Sequence, residues 1–257
     1  MMQQQQQEWV FQWREFQDDS LALFVEWIYP NTLDDFRDKD VLDAGCGGGQ
    51  HLAFVAPYAR SVVGADLNTI EIAKGRTTEF RNVTLREADI AEMNLGRRFD
   101  VVYSIGVIHH TDNPDKTVEN LKRHVKPGGR LILSVYAREG NFIVRTLLEP
   151  AKRHLFLKLP RPLVRRLAAM LTALMYFPVY TVYLLPLRFL PYYQYLQRWR
   201  GLSFKRNLLN IFDQLNAPQT QFFPREQVEK WIHPGEFTRI HISHHKGMSW
   251  RASGTKI

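Results

Sequence analysis

The string from Val41 to His51, VLDAGCGGGQH, constrains what this chain can fold into more than any other segment. Val41 and Leu42 end an apolar run, Asp43 adds an acid, and Gly45, Gly47 and Gly49 follow before a stretch that reads as a helix from His51 to Tyr58. That order predicts a buried parallel strand turning into a helix, with the glycines at the turn. In open α/β sheets such turns lie at the carboxyl ends of the strands, where ligands bind. Glycine is needed there when the backbone takes angles closed to other residues or must touch the ligand itself. A glycine-rich surface turn is the bland alternative.

The spacing bears on the ligand. A dinucleotide fingerprint runs G-x-G-x-x-G/A, whereas here Gly49 brings the third small residue one place early. Asp43 would repel a pyrophosphate and attract a cation. S-adenosyl-L-methionine carries an ammonium and a sulfonium and no phosphate, so an acidic strand end followed by G-x-G-x-G suits it.

Further units follow at regular distances. Val62 to Ala65 reads as a second buried strand ending in Asp66, 21 residues after Gly45. An acid at that offset can accept hydrogen bonds from both ribose hydroxyls, although an Asp after a strand also serves as a helix cap, a role Asn68 could share. NVTLREADI reads as a third strand, with Asp89 and Ile90 at its exit suited either to an adenine or to a solvated turn. Phe99 to Tyr103 is the fourth strand, followed by His109, His110 and the helix entry Asp112-Asn113-Pro114. A helix from Asp115 to Val125, the turn Lys126-Pro127-Gly128-Gly129 and a strand from Arg130 to Tyr136 complete a fifth unit.

The ordered set VLDAGCGGG, VVGADL, EADI, FDVVYSIGVIHHTDNP and VKPGGRLILSVY resembles the class I S-adenosylmethionine-dependent methyltransferases, in the group that includes the quinone-biosynthesis methyltransferases. The resemblance covers roughly Glu8 to Tyr136. It implies an α/β fold, a Rossmann-like seven-stranded mostly parallel sheet with helices on both faces, with S-adenosyl-L-homocysteine as product. It also implies that Gly45, Gly47 and Gly49 approach the methionine part of the cofactor with Asp43 near its amino group. Asp66 would take the ribose hydroxyls, and Asp89 with Ile90 the adenine. Ile105 and Gly106 would line the methionine side and face the acceptor. Cys46 and Leu67, inside and beside these motifs, join the cofactor-binding candidates, Cys46 as a small packing residue. EWVFQWREFQ resembles a helix that caps the cofactor in many relatives, and FDQLNAPQTQFFPREQVEKWI resembles a late segment in a subset of them.

The charge is uneven. Of a net +8, the stretch from Arg138 to Arg206 contributes +11, with thirteen Lys/Arg against only Glu139 and Glu149. The domains expected are therefore a cofactor-binding core at 1–137, a basic apolar helical insertion after the fifth strand at 138–206, and the end of the core sheet at 207–257. Within the insertion, Leu167 to Leu187 is 21 residues without a charge, long enough to cross a bilayer, which takes about 20. Pro178 and Pro186 interrupt it, and a crossing would put the two halves of one sheet on opposite sides of a membrane. The expectation is a lid over the acceptor, with a surface-bound amphipathic element as the variant. Arg165, Arg166, Arg188, Arg198 and Arg200, with Trp199, Tyr192, Tyr193 and Tyr195, suit either role.

Pro224 to Ile232 reads as a late helix. Phe237 to Ser243 and Met248 to Ala252 then read as strands joined by His244-His245-Lys246-Gly247. His241, His244 and His245 lack a Cys or acid to complete a ligand set, so no metal is expected. The single Cys precludes an internal disulfide and fits a reducing compartment. MMQQQQQEW lacks the plan of a secretory signal and reads as a frayed terminus, so a cytoplasmic protein is expected, with peripheral membrane contact through the insertion as the variant.

The expected acceptor is a hydrophobic or lipid-like small molecule, methylated at oxygen. The alternatives are an RNA (tRNA) acceptor, which a basic, aromatic insert could follow, and a catalytically silent cofactor-binding scaffold. His109 and His110 are the candidate catalytic residues, since the motifs place this pair, titrating near neutrality, at the cofactor's reactive end. Packing of the loop is the alternative for either.

Overall fold

The computed structural model describes residues 2–17 and 20–257, and the side chains of residues 2–6 lie outside that description. Seven strands form one sheet in the order β3-β2-β1-β4-β5-β7-β6. They are β1 (Asp40–Ala44), β2 (Ser61–Asp66), β3 (Val83–Glu87), β4 (Phe99–Ile105), β5 (Val125–Tyr136), β6 (Phe237–His245) and β7 (Ser249–Lys256). The first five run parallel, and β7 lies antiparallel between β5 and β6.

The strands read as continuous apolar runs because both faces are covered. Successive side chains point to opposite faces, so Val41, Val62, Val101 and Ile132 pack under α2 (Leu21–Ile28), α3 (Gln50–Val55) and α4 (Ile70–Thr77). Leu42, Val63, Val102, Leu131 and Leu133 pack under α5 (Pro114–Arg123) and α10 (Arg225–Trp231). The remaining helices are α1 (Met2–Glu15), α6 (Glu149–His154), α7 (Arg161–Val179), α8 (Tyr193–Trp199) and α9 (Phe204–Asn216).

Several sequence-based boundaries shift. The glutamine run lies within the first turns of α1. β4 extends to Ile105, which is the strand's last residue. His244 and His245 belong to β6, and the turn is moved to Lys246 and Gly247, both at positive φ. His245 is held there by Glu26 (3.2 Å), and His244 lies on Trp250 with ring centroids 4.6 Å apart. The uncharged run does not form one helix: α7 stops at Val179, with Pro178 in its last turn. Proline removes a backbone donor and clashes with the preceding turn. Among the described residues no helix is long and apolar enough to cross a membrane.

The expected boundary at 206–207 falls inside α9, because α9 packs along α7. Val164, Ala168, Leu208, Leu209, Phe212 and Leu215 share a small core with Phe16, beyond the end of α1. Three ion pairs tie this helical layer to the N-terminal helices: Arg161 to Glu8 (3.4 Å), Arg165 to Glu15 (2.9 Å) and Arg198 to Glu26 (2.9 Å).

Candidate active site

The glycine loop after β1 is built on left-handed backbone, with φ of +89° at Gly45, +52° at Gly47 and +82° at Gly49. Side chains are also excluded by contact. A Cβ on Gly45 would lie 2.5 Å from the Val107 side chain, and one on Gly47 would lie 2.9 Å from the Trp13 ring of α1. The N–H groups of Gly45 and Cys46 donate to the Ala65 carbonyl (2.8 and 3.1 Å), and that of Gly47 donates to Asp66 Oδ2 (2.9 Å). Thr69 Oγ1 donates to the Gly47 carbonyl (2.7 Å). The loop is thus fastened to the end of β2.

A cavity of about 770 Å³ opens over the carboxyl ends of β1, β2 and β4. Gly45, Gly47, Asp66, Leu67, Asp89, Ile90, Ile105, Gly106, His109 and His110 all line it. Asp43, Cys46 and Gly49 stand behind this wall. Cys46 packs against the Gly64 backbone, and Gly49 packs against Ala73. Asn120 donates to the carbonyls of Ile90 and Met93 (3.0 Å each) and so fixes the turn beyond Asp89.

Asp43 is 1% exposed, and among the described residues neither carboxylate oxygen has a partner in hydrogen-bond geometry, the buried Tyr103 hydroxyl being the polar neighbour. Burial, with the charge of Asp66 adding to it and the Tyr103 hydroxyl opposing it, pushes its pKa up to about 8. A buried carboxylate left unpaired behind a glycine cradle is suited to a cationic ligand group. The residues therefore fit the ammonium and sulfonium of S-adenosylmethionine.

At the other end, His109 is buried and stacks on Tyr136, with centroids 3.9 Å apart. Among the described residues neither of its ring nitrogens has a hydrogen-bond partner. His110 lies 4.2 Å from it, centroid to centroid, against Trp9, with Nδ1 2.7 Å from the Gln219 carbonyl oxygen. Burial drives both imidazoles below their ordinary pKa, His109 well below. The Tyr136 hydroxyl donates to Asp213 Oδ2 (3.1 Å), whose Oδ1 accepts from Gln12 Nε2 (2.9 Å). The segment after α9 pins the histidine loop: the Gln221 N–H donates to the His109 carbonyl and Gln219 Nε2 to that of His110, each at 2.8 Å.

The match to the methyltransferase domain family covers residues 42–133, from β1 into β5. This part of the chain is a class I S-adenosylmethionine-dependent methyltransferase domain. Curated relatives of the methyltransferase domain include two tRNA U34 carboxymethyltransferases. That of Actinobacillus pleuropneumoniae serotype 3 is 33% identical over 128 residues, 48% of this chain and 39% of that protein. That of Pasteurella multocida is 32% identical over the same length and coverage. The chain thus spans about two fifths of the length of the curated relatives it matches. Among solved structures, an O-methyltransferase family protein from Burkholderia thailandensis aligns with TM-score 0.54 and 14% identity, covering 91% of this chain and 55% of that one. Magnesium protoporphyrin IX methyltransferase from Synechocystis PCC 6803 with bound SAM gives 0.50 and 14%, covering 92% and 77%. At such identity these two show the fold alone.

Motif reading of the methyltransferase domain missed Gln12, Tyr136 and Asp213, which meet from three distant segments, and the tryptophans of α1. Asp213 sits in a segment already quoted for its resemblance, FDQLNAPQTQFFPREQVEKWI, but nothing in its spacing points it at Tyr136.

Proposed function

We propose that this chain transfers a methyl group from S-adenosylmethionine to an oxygen of an apolar small molecule, leaving S-adenosylhomocysteine. The observation that carries the reading is the aromatic character of the cavity: beyond the cofactor motifs its walls include Trp9, Trp27, Tyr136, Tyr195 and Trp199, and of the charged groups beside them Glu26, Arg198 and Lys246 pair with one another. Pockets of roughly 300–1,000 Å³ with apolar walls and a few placed polar groups take small ligands. The helices α8 and α9 act as the lid of the acceptor end, the role expected for the insertion.

Residue roles follow from position. Asp66 accepts from the ribose hydroxyls while its Oδ2 anchors the Gly47 N–H, and Asp89 with Ile90 borders the adenine. Gly45, Gly47, Ile105 and Gly106 let the methionine part approach the backbone, with Asp43 balancing its positive charge. The bound cofactor supplies a methyl carbon already activated by its sulfonium. The protein's task is then to align the acceptor and receive its proton. His109, neutral and with two unpartnered ring nitrogens, is the group placed to do so. His110 is held by Gln219 and positions its neighbour.

An RNA acceptor is the second reading, supported by the identity to tRNA-modifying relatives. It is weakened because four of the insertion's cations are already paired with acids of the protein itself, Lys152, Arg161 and Arg198 within it and Arg165 at its surface, while the exposed ones border an apolar face. The test is incubation with methyl-tritiated S-adenosylmethionine and either a cellular lipid extract or unfractionated tRNA. Label in the organic phase is expected. Label confined to tRNA would overturn the small-molecule reading, and cofactor binding without label in either fraction would favour a silent scaffold.

A further inference from the structure

Helix α7 is apolar on two opposite sides. Val164, Ala168, Thr172 and Val179 are buried along one side, Val164 and Ala168 against α9 and Val179 against α8, as an ordinary amphipathic stripe would be. On the other side, at helical spacing, Met170, Leu174 and Phe177 face solvent, Leu174 62% and Phe177 75% exposed. The turn Val182–Leu184 packs against α7, and Leu184, Leu185 and Phe189 carry the apolar surface onward, Phe189 being 81% exposed. Single exposed apolar residues need no explanation, but a run of this kind marks an interaction site.

Its charge surroundings narrow the partner. From Pro150 to Phe212 the sequence contains no Asp or Glu. Arg153, Lys158, Arg166, Arg188 and Lys205 are exposed there, and Arg166 lies one turn before Met170 on the same side of α7. A second copy of this face would bring like charges together. An RNA would neutralise the cations but leave aliphatic Leu174 and Leu185 in water. An anionic bilayer satisfies both features, since its headgroups attract the cations and its acyl boundary takes the apolar side chains.

We propose that the outer face of α7 and the following loop to Phe189 dock the protein on an anionic lipid surface. Met170, Leu174, Phe177 and Phe189 enter the acyl boundary, and Lys158, Arg166 and Arg188 meet the phosphates. The docking layer is the one that lends Tyr195, Trp199 and Leu202 to the cavity, so an acceptor dissolved in the bilayer would reach the site beside it. The docking proposal stands apart from the methyl-transfer reading, because none of the docking residues lines the cavity.

Vesicle flotation of the full chain tests it, using phosphatidylcholine with and without phosphatidylglycerol. Flotation with the anionic vesicles is expected, weakened by salt and stripped by carbonate. A variant carrying Leu174→Ser, Phe177→Ser and Phe189→Ser, checked for an unchanged circular dichroism spectrum and unchanged cofactor binding, should lose at least about tenfold in bound fraction. Arg166→Gln with Arg188→Gln should lose the preference for anionic lipid. Three outcomes would overturn the proposal: no flotation of the wild type, a triple-serine variant that floats equally well, or a concentration-dependent dimer abolished by the serines in a protein that ignores vesicles.

Discussion

With its carboxyl raised to about 8, Asp43 keeps its proton through much of the neutral range unless a cation faces it. The unfolded value, 3.8, is lower, so the folded chain binds the extra proton between the two. Without cofactor, stability should therefore fall as pH rises through that window, and Asp43→Asn should melt at a higher temperature than wild type at about pH 8. Cofactor binding favours the ionised form and releases the proton. Affinity for S-adenosylmethionine should then climb from about pH 6 and level off above about pH 8, a slope that calorimetry should find missing in Asp43→Asn. Equal slopes would remove Asp43 from the cation's surroundings. His109 behaves in the opposite sense. The sequence places it beyond the fourth strand as a group titrating near neutrality, but burial against Tyr136 holds it neutral well below that range. Its loss should cost roughly 10²- to 10⁴-fold in kcat with cofactor affinity unchanged, and the wild-type rate should show no inflection near the ordinary imidazole pKa. Near-normal turnover of His109→Ala at saturating acceptor would show that the ring only packs on Tyr136.

Between elements, the acceptor end is braced by a buried pair that no motif announces. Lys152 Nζ in α6 donates to Glu149 Oε1 (2.6 Å) and to Thr220 Oγ1 (2.9 Å), joining the insertion to the segment that pins the histidine loop. Breaking such a pair leaves a buried charge uncompensated, so Lys152→Met should destabilise the chain by about 3–5 kcal/mol in chemical denaturation. Adding Glu149→Leu should recover most of that. If the single substitution costs less than about 1 kcal/mol, the pair is not the brace. The strands were legible because parallel strands covered on both faces show as runs such as Val62-Val63 and Val101-Val102, ended by acids and glycines. The end of the insertion was not, because the sequence changes from basic to mixed charge in the middle of α9 while the helix packing on α7 continues unbroken.

Across the whole molecule, the positive insertion is held against the acids of the first two helices, with Glu8, Glu15 and Glu26 each taking one of its arginines. Local balance alone could not reveal this, since partners some 150 residues apart in sequence leave no spacing signal. The same holds for Gln12, Tyr136 and Asp213. The half of the cavity lined by Gly45, Gly47, Asp66 and Asp89 was legible because its turns are local: each acid or glycine sits at the end of its own strand. Asp43, Cys46 and Gly49, also among the cofactor-binding candidates, do not line the cavity, because strand alternation and close packing decide which loop residues face outward. Calorimetric titration of the full chain with S-adenosylmethionine tests the central claim most directly. Saturable one-site binding is expected, and Asp66→Ala should weaken it roughly ten- to a hundredfold by removing acceptors for the ribose hydroxyls and the anchor of the Gly47 N–H. No binding to the wild type, or equal affinity in the variant, would contradict it.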